Sequence, residues 1–234
     1  MSTLQIKVHR LSKAFGRRWV WHELTFDAQS GDCVVICGPN GSGKTTLLQC
    51  LCGLMRPTSG KIAICIGNEE HSPVDALPLI GALFDNCEPY DELTVAENLH
   101  FFIQLRRTSL SLSPINSMNS DAYSASNCDS IADEVMGLLT KFQMDDYRWH
   151  YASALSSGVR RRLKLAIAYA GMPPILALDE PTAGMDTAGR ELVTAVVKEH
   201  CSAGGIAFWA TNDERERAYG SKLVELATTS KRHS

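Results

Sequence analysis

The sequence predicts an α/β fold in which a parallel sheet carries a glycine-rich phosphate-binding loop. The first observation is that loop itself, residues 38–46, which lies between a short apolar run and a helical segment. The second is a pair of fully apolar runs, residues 175–178 and 205–210, typical of parallel strands that are covered on both faces. The third is that helical segments separate these runs, because strands that alternate with helices indicate an α/β protein.

Composition excludes several classes of function. The chain has 234 residues, of which 44% are hydrophobic, enough for one or two domains with a core. Its formal charge of −3 gives no basic surface, so we expect no nucleic-acid partner. No apolar run reaches the roughly 20 residues that span a bilayer, and residues 1–5 do not begin a signal peptide. We therefore expect an intracellular protein that reaches a membrane through a partner.

The N-terminal region predicts a β layer. Residues 4–8 alternate apolar and polar side chains, as a half-buried strand does, and residues 19–26 repeat the pattern. Both segments precede the phosphate loop. We expect them to form an antiparallel layer on the side of the nucleotide base.

The loop fits the pattern G-x-x-x-x-G-K-[ST] between the strand 34–37 and a helix that includes residues 47–52. Glycines let successive N–H groups point at phosphate oxygens, and the helix N-terminus adds partial positive charge there. Lys44 is predicted to reach the β- and γ-phosphates, and the Thr45 hydroxyl to hold Mg²⁺. The predicted ATP-binding residues of the loop are Gly38, Pro39, Asn40, Gly41, Ser42, Gly43, Lys44, Thr45 and Thr46.

The central part of the chain predicts helices around one irregular segment. Thr94 and Glu97 have the spacing of a capping box, so a helix should begin there. Residues 108–130 are rich in serine and asparagine with little periodicity, which predicts a flexible surface insertion. Helical periodicity returns at residue 131. Further helices are predicted over residues 160–170 and 190–200.

Two acids follow the apolar strand 175–178. Asp179 is placed to hold Mg²⁺, and Glu180 to polarise an attacking water. A solvated strand end is the alternative interpretation, which the phosphate loop in the same chain disfavours. Upstream, Ser156 and Gly158 lie before a basic helix, where a hydroxyl, an N–H group and the helix dipole can bind an anion.

Together these motifs resemble the nucleotide-binding subunits of ATP-binding cassette (ABC) transporters, from about residue 4 to residue 226. The segment 155–159 is similar to the family signature, and Asp186 stands at the aspartate of its D-loop. Phe15 stands where an aromatic ring stacks on adenine, with ordinary core packing as the alternative. The resemblance implies a single domain over 1–226, a P-loop NTPase core with a helical subdomain at about 86–170, and a tail over 227–234.

The resemblance also implies how such a subunit works. Two cassettes, as a homodimer or a heterodimer, pair head to tail, and each ATP lies between the phosphate loop of one and the signature of the other. An integral membrane permease is the further partner, so we expect a peripheral location on the cytoplasmic face of the inner or plasma membrane. ATP and Mg²⁺ are the implied cofactors.

Two positions depart from the family pattern. Asp85 stands where a glutamine senses Mg²⁺, and Asn212 stands where a histidine bonds the γ-phosphate. Asp85 could still face Mg²⁺, and Asn212 can donate a neutral hydrogen bond. With Glu180 and Lys44 as catalytic residues, we expect slow ATP hydrolysis in which Asn212 takes part.

The kind of transporter is predicted from two features. The chain ends soon after residue 226, so no regulatory domain is expected, which suits a small exporter-type subunit with a separate membrane partner. Residues 92–102 resemble the ATP-binding subunits of haem exporters in cytochrome c maturation. The alternatives are a non-transport ABC ATPase and a nucleotide switch that hydrolyses weakly. The transported substrate cannot be read from these residues.

Overall fold

The computed structural model describes residues 4–113, 115 and 130–227, and over these it contains nine strands and five α-helices. The strands are β1 (Leu4–Phe15), β2 (Arg18–Gln29), β3 (Cys33–Cys37), β4 (Ser59–Ile66), β5 (Glu69–His71), β6 (Ile80–Leu83), β7 (Ile175–Asp179), β8 (Ile206–Thr211) and β9 (Lys222–Glu225). The helices are α1 (Lys44–Leu51), α2 (Val95–Leu112), α3 (Ile131–Lys141), α4 (Ser157–Tyr169) and α5 (Thr187–Ser202).

The N-terminal layer is the predicted antiparallel sheet. Its strand order is β2-β1-β4-β5, and β1 pairs with both β2 and β4. Alternation places Leu4, Ile6 and Val8 in the core, while Lys7 faces solvent. Both strands are longer than the sequence predicts, because register shifts let the β1–β2 hairpin continue from Val8 to the turn before Arg18.

The second sheet is parallel throughout, with the order β6-β7-β8-β3-β9. Its three central strands, β7, β8 and β3, are wholly buried, which explains their uninterrupted apolar sequences. The carboxyl ends of parallel strands meet at one edge of a sheet. The phosphate loop after β3 therefore lies beside the two acids at the end of β7.

Three helices lie within the predicted helical subdomain. The Thr94–Glu97 capping box begins α2 as predicted, with Thr94 N–H donating to a Glu97 carboxylate oxygen at 2.8 Å. Ser130 caps α3 and Ser156 caps α4. Helices α4 and α5 begin three residues before their predicted starts, because Ser156 and Asp186 cap them.

The predicted start of the insertion at residue 108 is wrong, because α2 continues through Leu112. Leu110 packs against the apolar cluster that β1, β4 and α1 form, and this contact keeps the last turn of α2 helical. The serines are satisfied inside the helix, since Ser109 Oγ donates to Leu105 O at 2.9 Å and Ser111 Oγ to Thr108 O at 2.8 Å. The remainder of the predicted insertion, residues 114 and 116–129, lies outside the described residues.

Two apolar clusters hold the sheets and helices together. One packs β1, β4 and α1 against one face of the parallel sheet, and the other packs α2, α3, α4 and α5 against the opposite face. Both faces of β3 are covered, with Val34 and Ile36 in the first cluster and Val35 in the second. Among the helices in the described ranges, none combines the length and the apolar character needed to cross a bilayer.

Candidate nucleotide-binding site

A cavity of about 570 Å³ opens at the carboxyl ends of β3 and β7. Residues from both sheets line it: Phe15, Arg18, Trp19, Val20, Asn40, Gly41, Gly43, Lys44, Thr45, Thr46, Asp85, Asp179 and Glu180. The structure therefore brings most of the predicted phosphate-binding and acidic residues to one place. Arg18, Trp19 and Val20 were not predicted, because only the phenylalanine position carried a family signal in this hairpin.

The phosphate loop needs glycine where it passes under β2. Gly43 has φ 95°, a left-handed conformation that glycine adopts without strain. A Cβ atom at this position would lie 2.2 Å from Val20 Cγ1 and 2.9 Å from Trp21 Nε1. Gly43 therefore lets β2 pack directly against the predicted phosphate loop.

Gly43→Ala should unfold more easily than Gly41→Ala. Gly41 also has positive φ, at 78°, but a Cβ atom there meets no described atom within 4 Å. Both variants carry backbone strain, so the difference between them isolates the clash with Val20 and Trp21. We expect Gly43→Ala to be less stable by about 1–3 kcal/mol, measured by urea unfolding. Equal midpoints would show that β2 does not constrain the loop.

Lys44 and Thr45 are positioned by the loop and by β7. Lys44 is 6% exposed, and its Nζ donates to the carbonyl oxygens of Gly38 at 2.9 Å and Pro39 at 3.4 Å. Thr45 Oγ1 donates to Asp179 Oδ2 at 2.6 Å. The Thr45 hydroxyl and the Asp179 carboxyl group, both predicted to bind the metal, are therefore adjacent. The charged side chain of Lys44 lies near them.

Asp179 is a buried carboxyl group with several charged groups nearby. Burial raises the pKa of this carboxyl group above its ordinary value, and the nearby charge of Asp85 acts in the same direction. The hydrogen bond from Thr45 and the charges of Lys44 and Arg161 oppose the shift without cancelling it. A buried, incompletely compensated carboxylate is suited to a bound cation.

Glu180 has an unusual backbone conformation. Its φ is 45°, which costs a residue with a side chain roughly 1–2 kcal/mol. Its N–H donates to Ala210 O at 2.9 Å, and its carboxylate lies 4.0 Å from Lys44 Nζ and is partly exposed to the cavity. Strained residues of this kind occur at functional sites, where the surrounding structure fixes them.

Phe15 lies at the mouth of the cavity and not in the core. Its side chain is 53% exposed, and Lys13 Nζ lies 4.9 Å from the centre of its ring. Core packing, the alternative interpretation of this residue, is therefore wrong. Stacking on adenine stays a prediction.

Seven predicted residues lie outside the cavity lining: Gly38, Pro39, Ser42, Ser156, Gly158, Asp186 and Asn212. Asn212 contacts the phosphate loop from outside the cavity, since its Nδ2 donates to Asn40 Oδ1 at 3.0 Å. Ser156 is exposed and caps α4, and a Cβ atom added to Gly158 meets no described atom within 4 Å. Asp186 caps α5 by accepting from Gly189 N–H at 2.8 Å. In the single chain, none of Ser156, Gly158 and Asp186 lines the cavity beside the phosphate loop.

The sequence did not predict two residues that hold the acidic loop, residues 179–182, in place. Arg161 donates to Asp85 Oδ1 at 3.0 Å and to Asp179 O at 3.1 Å. Glu216 is 2% exposed and accepts from Trp209 Nε1 at 2.9 Å and from the hydroxyl of Thr182. The basic first turn of α4 was a signal for Arg161, whereas the sequence around Glu216 offers none.

The residues present fit a magnesium-bound triphosphate. Asp179 and Thr45 would supply the hard oxygen ligands that Mg²⁺ prefers, and Asp85 lines the same cavity. Within the described part of the chain, the buried Ser42 Oγ has no hydrogen-bond partner, which is consistent with a hydroxyl that serves a phosphate. Lys44 and the loop N–H groups would hold the phosphates.

The fold and the site together define a class, the phosphate-loop nucleotide-binding proteins. The model of the ABC transporter family matches residues 21–183. The cytochrome c biogenesis ATP-binding export protein CcmA of Bradyrhizobium diazoefficiens is 34% identical over 223 residues, which cover 93% of this chain and 98% of that protein. The chain belongs to the ABC transporter family, and it is one of the ATP-binding cassettes of that family.

Other relatives differ in the direction of transport that their names give. The sulfate/thiosulfate import ATP-binding protein CysA of Mesorhizobium japonicum is 31% identical over 215 residues, covering 91% of this chain. The chain spans only 58% of the length of that relative. The dimeric structure of the ABC transporter cassette MJ0796 has a TM-score of 0.76 at 22% identity, covers 95% of this chain and 94% of its own, and supports the fold.

Proposed function

We propose that this chain is the ATP-binding and ATP-hydrolysing subunit of an ABC transporter and works as a pair of copies. The proposal rests on one observation, that the predicted site residues lie in two separate groups in the single chain. Lys44, Asp179 and Glu180 line one cavity, whereas Ser156 is exposed, Gly158 has open space beside it, and neither of them lines that cavity. A second copy would supply the signature residues that the first copy cannot bring to its own nucleotide.

Each residue then has a chemical role. Bound Mg²⁺ would neutralise charge on the β- and γ-phosphates. Lys44 binds the terminal phosphates, and Glu180 accepts a proton from the attacking water at its carboxylate. Asn212, through Asn40, orients the edge of the phosphate loop. The second copy excludes bulk water when its signature covers the cavity.

Export through a separate permease on the cytoplasmic face of the inner or plasma membrane is the more specific proposal. It is supported by the 34% identity to CcmA, over 93% of this chain and 98% of that protein. The cargo would be that of a haem exporter of cytochrome c biogenesis.

The test is complementation of a bacterial strain that lacks its cytochrome c maturation ATPase, with Lys44→Ala as the matched inactive control. Restored holocytochrome with the wild type only would support the proposal. No restoration, with both proteins present and folded, would reject this cargo.

Asn212→His should increase turnover. A histidine adds reach and a possible positive charge toward the terminal phosphate, whereas Asn212 is bonded to Asn40. One such transition-state hydrogen bond is worth on the order of 10²-fold in rate. The measurement is kcat for ATP, with Asn212→Gln as a control for side-chain size. Unchanged kcat in the histidine variant would reject the alignment of this position with the histidine that bonds the γ-phosphate in the family.

A nucleotide switch that hydrolyses weakly is the second candidate, and the departures at Asp85 and Asn212 favour it. A negative charge beside Asp179 and a neutral amide near the γ-phosphate position both weaken transition-state stabilisation. ATPase assays with and without a membrane permease distinguish the two functions. Stimulation by the permease supports transport, and ATP binding with negligible turnover in both assays supports the switch.

A further inference from the structure

Arg161 connects the helical subdomain to the backbone that carries Glu180. It belongs to the first turns of α4, and its side chain is only 12% exposed. Its Nη2 donates to Asp179 O at 3.1 Å and to Glu180 O, and its Nε approaches Pro181 O at 3.5 Å. One guanidinium therefore contacts three successive carbonyl oxygens.

The backbone at this point needs such a support. Glu180 has the left-handed φ of 45°, and this conformation aims the carbonyl groups on either side of it toward α4. Toward the sheet, the segment is held by the hydrogen bond from Glu180 N–H to Ala210 O at 2.9 Å. A planar group with several fixed donors matches adjacent carbonyls better than an ammonium group does.

We propose that Arg161 is a positioning residue that fixes the strained backbone of Glu180, and so the direction of its carboxylate, with Asp85 as the counter-ion. Asp85 Oδ1 lies 3.0 Å from Arg161 Nη1 and balances the charge of the buried guanidinium. Lys164, on the same helix, donates to Asp85 O at 2.9 Å and to Glu88 Oε1 at 2.8 Å. Helix α4 thus holds both the segment after β6 and the segment after β7.

This inference rests on the proposed ATPase function only for its kinetic consequence. If Arg161 orients Glu180, its loss misdirects the base and leaves the phosphate loop intact. Arg161→Ala should therefore lower kcat about 10- to 100-fold while KM for ATP changes by less than about 3-fold. Arg161→Lys, which keeps the charge without the planar fork, should lie between Arg161→Ala and the wild type.

The matched control is Arg162→Ala. Arg162 is the next residue of the same helix, but its Nη1 approaches Gln143 Oε1 at 3.5 Å instead of the acidic loop. We expect this variant to keep the kcat of the wild type. If both arginine variants lower kcat equally, or if Arg161→Ala acts only on KM, the positioning role is rejected.

Amide hydrogen exchange tests the same inference without nucleotide. In the full chain, Arg161→Ala should speed exchange at Glu180 and Ala183, whose N–H groups donate to Ala210 O at 2.9 Å and to Glu180 O at 3.0 Å. An increase on the order of 10-fold confined to this loop is expected, and none in Arg162→Ala. Unchanged exchange, or an increase throughout the domain, overturns the inference. If the wild type proves not to hydrolyse ATP, the proposed function fails while the exchange result still decides this one.

Discussion

We expect Glu180→Gln to lower the ATPase rate by about 10²–10⁴-fold, the range over which a positioned general base contributes. The substitution removes the group that accepts a proton from water and keeps the size of the side chain. It leaves Lys44, Thr45 and Asp179 in place, so Mg·ATP should still bind. ATP-bound protein should therefore accumulate, measured as nucleotide retained after gel filtration beside the steady-state rate.

Glu191→Gln is the matched control for this prediction. Glu191 is an exposed residue of α5, outside the cavity lining, so the same change of chemistry should leave turnover unaltered. A Glu180→Gln protein that turns over as fast as the Glu191→Gln protein would contradict the role of Glu180. Loss of ATP binding in the glutamine variant would contradict the separation between binding and chemistry.

Lys44→Ala should weaken ATP binding. Lys44 is a buried cation whose Nζ, held by Gly38 and Pro39, lies within 4.0 Å of the Glu180 carboxylate. A charged hydrogen bond to phosphate is worth about 1.5–3 kcal/mol, so the affinity for Mg·ATP should fall on the order of 10²-fold. Titration calorimetry of Mg·ATP into wild type and variant measures the difference directly.

Lys198→Ala controls for the loss of one positive charge. Lys198 is exposed on α5 and does not line the nucleotide cavity. Its replacement should leave the dissociation constant unchanged at physiological salt. If the two lysine variants bind Mg·ATP with equal affinity, the contribution of Lys44 is no more than that of a distant surface charge, and the phosphate-loop assignment fails.

The parts of the site that sequence predicts are those whose chemistry is local. The phosphate loop, the capping box at Thr94 and the cap at Ser156 each depend on residues a few positions apart. The buried strands β3, β7 and β8 could be predicted because continuous apolar runs suit a sheet that is covered on both faces. Asp179 and Glu180 could be predicted as site residues because they directly follow the apolar run of that strand, residues 175–178.

The parts that sequence misses depend on distant partners. Arg161 meets Asp85, 76 positions earlier in the chain, and Glu216 meets Thr182, 34 positions earlier. No periodicity encodes such contacts. The edge strands β6 and β9 were missed because each has only four residues and no strong pattern. The helical extension to Leu112 was missed because serine weakens the helical pattern, while packing of Leu110 sustains it.

The most direct test of the central claim is sedimentation of Glu180→Gln protein with Mg·ATP over a range of concentrations. In the proposed dimer, one copy binds the nucleotide with its phosphate loop and a second copy closes the site with Ser156 and Gly158. This arrangement predicts a dimer that forms only with Mg·ATP and is lost when Lys44→Ala is added to the same chain. A protein that binds Mg·ATP yet stays monomeric at the highest concentration, or dimerises equally without nucleotide, would contradict it.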